Sequence, residues 1–346
     1  MSMHPTIAIT MGDPAGIGAE IAVKSLQSPK TYAYARPLII GDLDYVKDAV
    51  AMVGGGLAVN VISHPSEGLY RPGTLDIMDL DNVDAGEVSY GVVSAKAGHA
   101  AYQYIERAIG LALAREVDAV VTGPIHKESL NLGGHSYSGH TEIFADLTNT
   151  SDCAMMLADG DFRVAHVTTH VSLRQACNLV TRKRVLVVIR LAHDALRALG
   201  MSEPKIGVAG LNPHAGEGGM FGTEDAEEIA PAVADAQAMG IKAEGPIPPD
   251  TLFAKARGGQ YDMAIAMYHD QGHIAMKTAG FALDSSTGKW TAVSGVNVTL
   301  GLPIIRVSVD HGTAFGKAGK GTANPQSMIQ ALELAARFAN GGSSPA

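Results

Sequence analysis

The sequence predicts two interleaved α/β/α domains with largely parallel sheets. Three observations carry that expectation. Short apolar runs alternate with amphipathic stretches, 346 residues exceed what one core usually serves, and neither an internal repeat nor a long linker separates the parts.

The strands come first. Thr6 to Met11, Pro37 to Ile40, Ala119 to Thr122, Arg163 to Thr168, Lys205 to Ala209, Asp262 to Met267 and Ile304 to Val309 are short apolar runs and read as buried strands. Residues 97–115, 184–199, 224–239 and 325–339 carry apolar side chains at three- and four-residue spacing and read as helices. Their alternation means βαβ units and a sheet covered on both faces. The segment 282–294, ALDSSTGKWTAVS, breaks this rhythm. It is polar, holds the only Trp, and reads as a hairpin or flap.

Composition narrows the function. Apolar residues make up 46% and charged residues 18%, which suits a globular protein with an ample core. Many of the 40 glycines follow apolar runs, as tight βα turns require. The net charge is −9 and no Lys/Arg cluster is present, so a nucleic-acid partner is not expected; an anionic ligand would need a few local cations. Cys153 and Cys177 are far apart and outside any C-x-x-C, which fits a reducing compartment. The opening MSMHPTIAITMG shows neither a basic export region nor a long apolar one, and no run reaches the ~18 apolar residues of a membrane span. The expectation is a cytoplasmic protein with no membrane partner.

Three apolar runs end in histidine. RVAHVTTH closes on His170, KIGVAGLNPHAGEGG reaches His214, and DMAIAMYHDQG reaches His269. Ligands of open α/β sheets bind beyond the carboxyl ends of strands. Each His alone suits an ordinary hydrogen-bonded loop residue, but the repeated placement points to a set. Three imidazoles around one divalent ion leave a coordination position open, as catalysis needs. Imidazole suits Zn, Co, Ni or Fe; Zn is the expected ion, with Mg or Mn as alternatives in assays.

Four further stretches stand out. TMGDPAGIGAE (10–20) is a glycine-rich strand-to-helix turn, suited either to close approach by a ligand or to a plain tight turn with Asp13 near the helix start. It is not G-x-G-x-x-G. TGPIHKES (122–129) offers His126 and Lys127. SGHTEIF places His140 and Thr141 where a helix begins, suited to an anion or to a cap. DHGTAFGKAGKGTANP (310–325) is too rich in small residues to pack a core; it suits a loop against a flat ligand or a surface loop leading to a last helix, with Pro325 in its first turn.

These stretches, with TTHVSLR, PPDTLF and GVNVTLGLPIIR, occur in the order of the 4-hydroxythreonine-4-phosphate dehydrogenase family and cover nearly the whole chain, which resembles that family. The 310–325 loop is also similar to the cofactor loop of isocitrate/isopropylmalate dehydrogenase-like enzymes. The resemblance implies that wider fold, with a terminal domain of residues 1–128 plus 300–346 and a central domain of 129–299 carrying the metal site and the dimer interface. It implies NAD-dependent oxidation of 4-phosphooxy-L-threonine at C3, then decarboxylation to 3-amino-2-oxopropyl phosphate, by a homodimer whose active sites and metal sites lie at the subunit interface.

Carried over by motif, His170, His214 and His269 bind the metal. His140, Thr141, Lys277, Asn297 and Arg306 bind substrate, and Lys277 and Asp250 are the catalytic candidates. His311, Gly312, Thr313, Ala314 and Asn324 lie on the cofactor. Two departures qualify the match: the 282–294 insertion, expected to form a lid or dimer contact that changes which substrate fits, and Gly316, which replaces an acidic residue of isopropylmalate-type relatives. Catabolic branches that oxidise phosphorylated threonate or erythronate, or terephthalate-type cis-dihydrodiol carboxylates, are the alternatives. TMGDPAGIGAE and TTHVSLR lean toward the first.

Overall fold

The computed structural model describes residues 4–84, 86–284, 289–293 and 295–341. They divide into two compact units, Met1–Ser151 with Leu302–Ala346, and Asp152–Gly301.

The first segment of the first unit is built from β1 (Thr6–Thr10), α1 (Gly18–Leu26), β2 (Arg36–Gly41), α2 (Leu43–Val53), β3 (Ala58–Ile62), β4 (Thr74–Asp79), α3 (Ala95–Leu113), β5 (Ala119–Thr122), α4 (Lys127–Leu132) and α5 (His140–Leu147). Every residue of β1 and β5 is buried, so their unbroken apolar runs have both faces covered. The long α3 starts where the Ser94 side chain accepts the Ala97 N–H, satisfying a donor that the helix itself leaves free.

The second unit is one continuous stretch. It contains β6 (Ala154–Asp159), β7 (Phe162–His166), α6 (Leu173–Leu179), α7 (Arg182–Ala198), β8 (Lys205–Ala209), α8 (Ala230–Ala238), β9 (Lys242–Ile247), α9 (Pro249–Arg257), β10 (Met263–Ala266), α10 (His269–Gly280), β11 (Phe281–Asp284), β12 (Lys289–Val293) and β13 (Val296–Leu300). Its sheet runs β13-β6-β7-β10-β8-β9, antiparallel across β13, β6 and β7 and parallel from β7 to β9. The two-residue turn between β6 and β7 explains the antiparallel edge, because a parallel return needs a crossover. Strands β11 and β12 pair antiparallel, so the ends of the 282–294 segment form the arms of a hairpin. Residues 285–288 and 294, where part of the expected lid falls, lie outside the described residues.

The chain then returns to the first unit as β14 (Ile305–Val309) and α11 (Gln326–Ala339). The first unit's sheet is β3-β4-β2-β1-β5-β14, with every pair parallel. Placing the boundary at 151/152 corrects the expected 128/129. Helix α4 packs on α3, where Gly98 lets the Ser129 carbonyl approach so closely that an added Cβ would lie 1.9 Å from it. Residues 129–151 therefore belong with the terminal segments. No helix of the described residues is long and apolar enough to cross a membrane.

Candidate active site

In the second unit the chemistry gathers at the carboxyl ends of β7 and β10. These strands pair in parallel with Ala266 opposite His166, so both chains leave the sheet at the same edge. Pairing continues through Val167 and Thr168, whose N–H groups donate to Ala266 and Met267. His170 emerges just beyond, and α10 opens on His269. Their rings lie 5.5 Å apart at 46°. Both line a cleft of about 260 Å³ with Thr169, Tyr268 and Asp270. The Asp270 carboxylate sits 2.7 Å from His269 Nδ1, which fixes the ring and leaves Nε2 as its other face.

Two more imidazoles stand behind this pair. His273 stacks on His269 at 3.7 Å, and His166 lies 4.9 Å from His273. His166 is fully buried, and burial, then the neighbouring His273, pushes its pKa down to about 3. Burial and His269 push His273 down to about 4. Gly272 is required here, since a Cβ would lie 2.3 Å from His166 Nε2. His166 was not expected at the site. Its signal was a histidine inside the apolar run RVAHV, where an imidazole is costly unless it has work to do.

His214 sits in a different setting. After β8 the chain takes a left-handed course, with positive φ at His214 (53°), Ala215 (53°) and Glu217 (42°) as well as at glycines 216 and 218. Each non-glycine residue held there costs about 1–2 kcal/mol. Asp225, buried at 2% exposure, holds the loop by accepting from Leu211 N, Asn212 N and Asn212 Nδ2 at 2.8, 3.2 and 2.9 Å. Strain maintained in this way marks functional loops. Yet no group of three or more His, Cys, Asp or Glu among the described residues is placed to hold a metal. One chain thus brings His170 and His269 together and does not bring His214 to them. His170, exposed, and His269, half-buried, make two of the three expected donors, and a single chain does not complete the set.

Lys277 follows His269 and His273 at four-residue steps, so all three share one stripe of α10. Its ammonium lies 5.0 Å from the Phe281 ring centroid. Asn297, on β13, has its Oδ1 buried with no hydrogen-bond partner among the described residues. Such an orphan acceptor is costly unless a ligand satisfies it. Asp250 lies in the first turn of α9 and lines a separate cleft of about 470 Å³ that shares Tyr268 and Asp270 with the histidine cleft.

In the first unit, Arg306 on β14 is 2% exposed. It donates to Thr122 Oγ1 at 2.8 Å and lies 5.4 Å over the Phe144 ring. Burial pulls its pKa down to about 9, opposed by Glu142, so it stays charged at neutral pH. His140 opens α5 behind Gly139, which has no side chain to cap the helix, so the first N–H groups of α5, including that of Thr141, have no side-chain cap. His140 Nε2 is enclosed with no partner, and burial, then Arg306, holds the ring neutral. A buried cation, an uncapped helix start and a neutral imidazole suit an oxyanion.

The TMGDPAGIGAE turn resolves in favour of the tight turn. Gly12 (φ +79°) and Gly18 have added-Cβ distances of 2.4 Å to the Pro124 carbonyl and 1.9 Å to the Met11 carbonyl, so the close approach is to the protein's own backbone. Asp13 accepts the Ala15 N–H within that turn. His126 caps α4 through Ser129 N and stacks on Phe315 at 4.6 Å.

In the 310–325 loop, His311 Nδ1 is 3.0 Å from the Gly312 carbonyl, and its Nε2 is buried without a partner. Ala314 adopts a left-handed conformation. A Cβ added at Gly312 or Gly316 would meet open space, so the loop presents bare backbone to any ligand laid against it. Asn324 Oδ1 accepts the Gln326 N–H at the start of α11, which gives this expected cofactor residue a capping role. The loop fits a flat dinucleotide, and Gly316 contributes no side chain to one.

The family model described as pyridoxal phosphate biosynthetic protein PdxA matches residues 33–335. A curated protein of Symbiobacterium thermophilum, provisionally named D-threonate 4-phosphate dehydrogenase, is 48% identical over 339 residues, 98% of this chain and 98% of that one. The crystal structure of 4-hydroxythreonine-4-phosphate dehydrogenase from Klebsiella pneumoniae is 44% identical, covers 97% of this chain and 98% of that one, and superposes with a TM-score of 0.87. A β-decarboxylating dehydrogenase from Thermococcus kodakarensis, 15% identical over 95% of this chain and 82% of its own, has a TM-score of 0.50 and shows a kinship of fold alone. The chain therefore belongs to the PdxA family and is a dehydrogenase, with an α/β fold shared by a β-decarboxylating dehydrogenase.

Proposed function

We propose that this dehydrogenase oxidises and decarboxylates D-threonate 4-phosphate with NAD. The observation that carries the choice is the 48% identity, end to end, with the relative named for that substrate, above the 44% shared with the 4-hydroxythreonine-4-phosphate enzyme. This replaces 4-phosphooxy-L-threonine as the first reading. The two substrates differ only at C2, which carries a hydroxyl in one and an ammonium in the other.

The reaction balances without a further reactant. The C3 hydroxyl loses its proton to a base and C3 loses hydride to NAD. The resulting β-keto acid releases C1 as carbon dioxide, and the electron pair left at C2 takes up a proton, giving glycerone phosphate. Arg306, His140 and the first N–H groups of α5 are assigned to an anionic group of the substrate. Lys277 is assigned to proton transfer and Asn297 to a substrate hydroxyl that would satisfy its buried Oδ1. The 310–325 loop is assigned to NAD.

His170 and His269 are assigned as two of the three imidazoles of a divalent-metal site, with zinc the expected ion, and the third is assigned to His214 of a second copy in a homodimer. Among the described residues neither Cys153 nor Cys177 forms a disulfide, in keeping with a cytoplasmic setting.

The test supplies purified protein with NAD, a divalent metal and, in turn, D-threonate 4-phosphate, D-erythronate 4-phosphate, 4-phosphooxy-L-threonine and a cis-dihydrodiol carboxylate. NADH formation should be fastest with the first and vanish with a chelator. Faster turnover of 4-phosphooxy-L-threonine would return the protein to the biosynthetic reading, and turnover of the diol alone would overturn both phosphate readings.

A further inference from the structure

An ion pair on α1 reaches across some three hundred residues of sequence to the far limb of the 310–325 loop. Glu20 is only 4% exposed, and its Oε1 accepts from Lys24 Nζ at 2.8 Å and from Ala323 N at 2.6 Å. Lys24 Nζ also donates to the Gly321 and Ala323 carbonyls at 2.9 and 2.7 Å. An ammonium has three N–H donors, and all three are committed. The near limb is held from the same place, since Ile17 N donates to the Thr313 carbonyl at 3.2 Å.

A buried ion pair is weak as a source of stability, because desolvation offsets its attraction. Its value here is placement. The limb GKAGKGTA has no apolar side chain larger than Ala to pack it down. Gly319 and Gly321 lie flat instead, with added-Cβ distances of 2.8 Å to the Tyr90 ring and 3.1 Å to the Met52 carbonyl. A segment with so little side chain holds one shape only through its backbone, and Glu20 and Lys24 grip that backbone through both donors and acceptors.

We propose that Glu20 and Lys24 are positioning residues for the dinucleotide: they touch no ligand but hold residues 319–323 in the shape that binds it. The inference rests on the reading of this loop as the NAD site. If loss of the grip leaves the loop in the binding shape a tenth of the time, the NAD dissociation constant rises about tenfold.

The test measures NAD binding to the full-length protein by calorimetry, with peptide-level hydrogen exchange over 313–323. Lys24→Met and Glu20→Ala should weaken NAD about tenfold and speed exchange in that segment, while the Michaelis constant for the phosphorylated acid stays within about twofold. Glu20→Gln keeps an oxygen for the Ala323 N–H and should restore most of the affinity. Gly312→Leu, which fills open space on the loop, serves as the reference. If Gly312→Leu weakens NAD and the two clamp variants do not, the positioning role is wrong. Equal losses for NAD and for the acid would make the pair merely structural and also overturn it. An unchanged NAD constant in Gly312→Leu would remove the loop reading itself.

Discussion

Replacing Asp225 by Asn removes a charge and one acceptor without changing the size of the side chain. In the native loop the two carboxylate oxygens accept three hydrogen bonds, Oδ1 from Leu211 N and Oδ2 from Asn212 N and Nδ2. An Asn side chain keeps one oxygen. With that oxygen at the Oδ1 place, its amide nitrogen meets two donors; with it at the Oδ2 place, the amide nitrogen meets the Leu211 N–H. At least one charge-assisted bond is lost, worth about 1.5–3 kcal/mol, and a buried donor is left unsatisfied at about 1–3 kcal/mol more. The expected loss is therefore about 3–5 kcal/mol, enough to release the left-handed strain at His214, Ala215 and Glu217. For a unit of this size, thermal denaturation should show a drop of about 10 °C. Turnover measured well below that midpoint should also fall, because His214 is no longer presented. A midpoint within about 3 °C of wild type, together with unchanged turnover, would refute the claim that Asp225 holds the loop.

The remaining predictions concern the anion subsite and the buried histidine. Arg306→Lys replaces a planar fork by a point charge, and the Michaelis constant for the phosphorylated acid should rise about tenfold to a hundredfold, the equivalent of one charge-assisted bond; steady-state kinetics checks this, and an unchanged constant places the anion elsewhere. The unfolded-state pKa of His166 is near 6.5 and its folded value is about 3, so protonation favours the unfolded chain. The penalty is absent above pH 6.5 and grows as pH falls toward 3, reaching roughly 2 kcal/mol at pH 5. Denaturant titrations of metal-free protein at pH 7 and pH 5 should show that loss. His166→Gln, which has nothing to titrate, should lack this part of the acid sensitivity, and an equal slope in the variant would assign the effect to other groups.

Much of the architecture could be read from the residues because buried parallel strands must be apolar on both faces. The runs at 6–11, 119–122, 205–209 and 304–309 therefore announced themselves. Strand β3 did not, since AVNVI is buried only at Ile62 and carries Asn60. Strand β9, KAEGPI, alternates with Lys, Glu and Pro at the sheet edge and gave no apolar run. The histidines at strand ends were legible individually, because a titratable residue closing an apolar run is conspicuous. Their partnership was only half legible. His170 and His269 meet because β7 and β10 are neighbours in parallel register, a fact of topology that spacing along the chain does not encode. The Glu20–Lys24 grip was invisible for a similar reason. Four residues apart on a helix, the two read as an ordinary surface pair, and only the return of the chain at 321–323 shows what they hold.

The split construction of the first unit also bears on how the protein is made. Residues 152–301 form one uninterrupted stretch and can condense as soon as they leave the ribosome. Strand β5, emerging much earlier, has β1 on one side and must wait for β14 on the other. Until residue 309 is synthesised, the nascent chain carries an open edge at AVVT, all of which is buried in the finished fold, the kind of edge on which other chains add. A ribosome stalled between those points would release a product with a finished middle and an adhesive beginning.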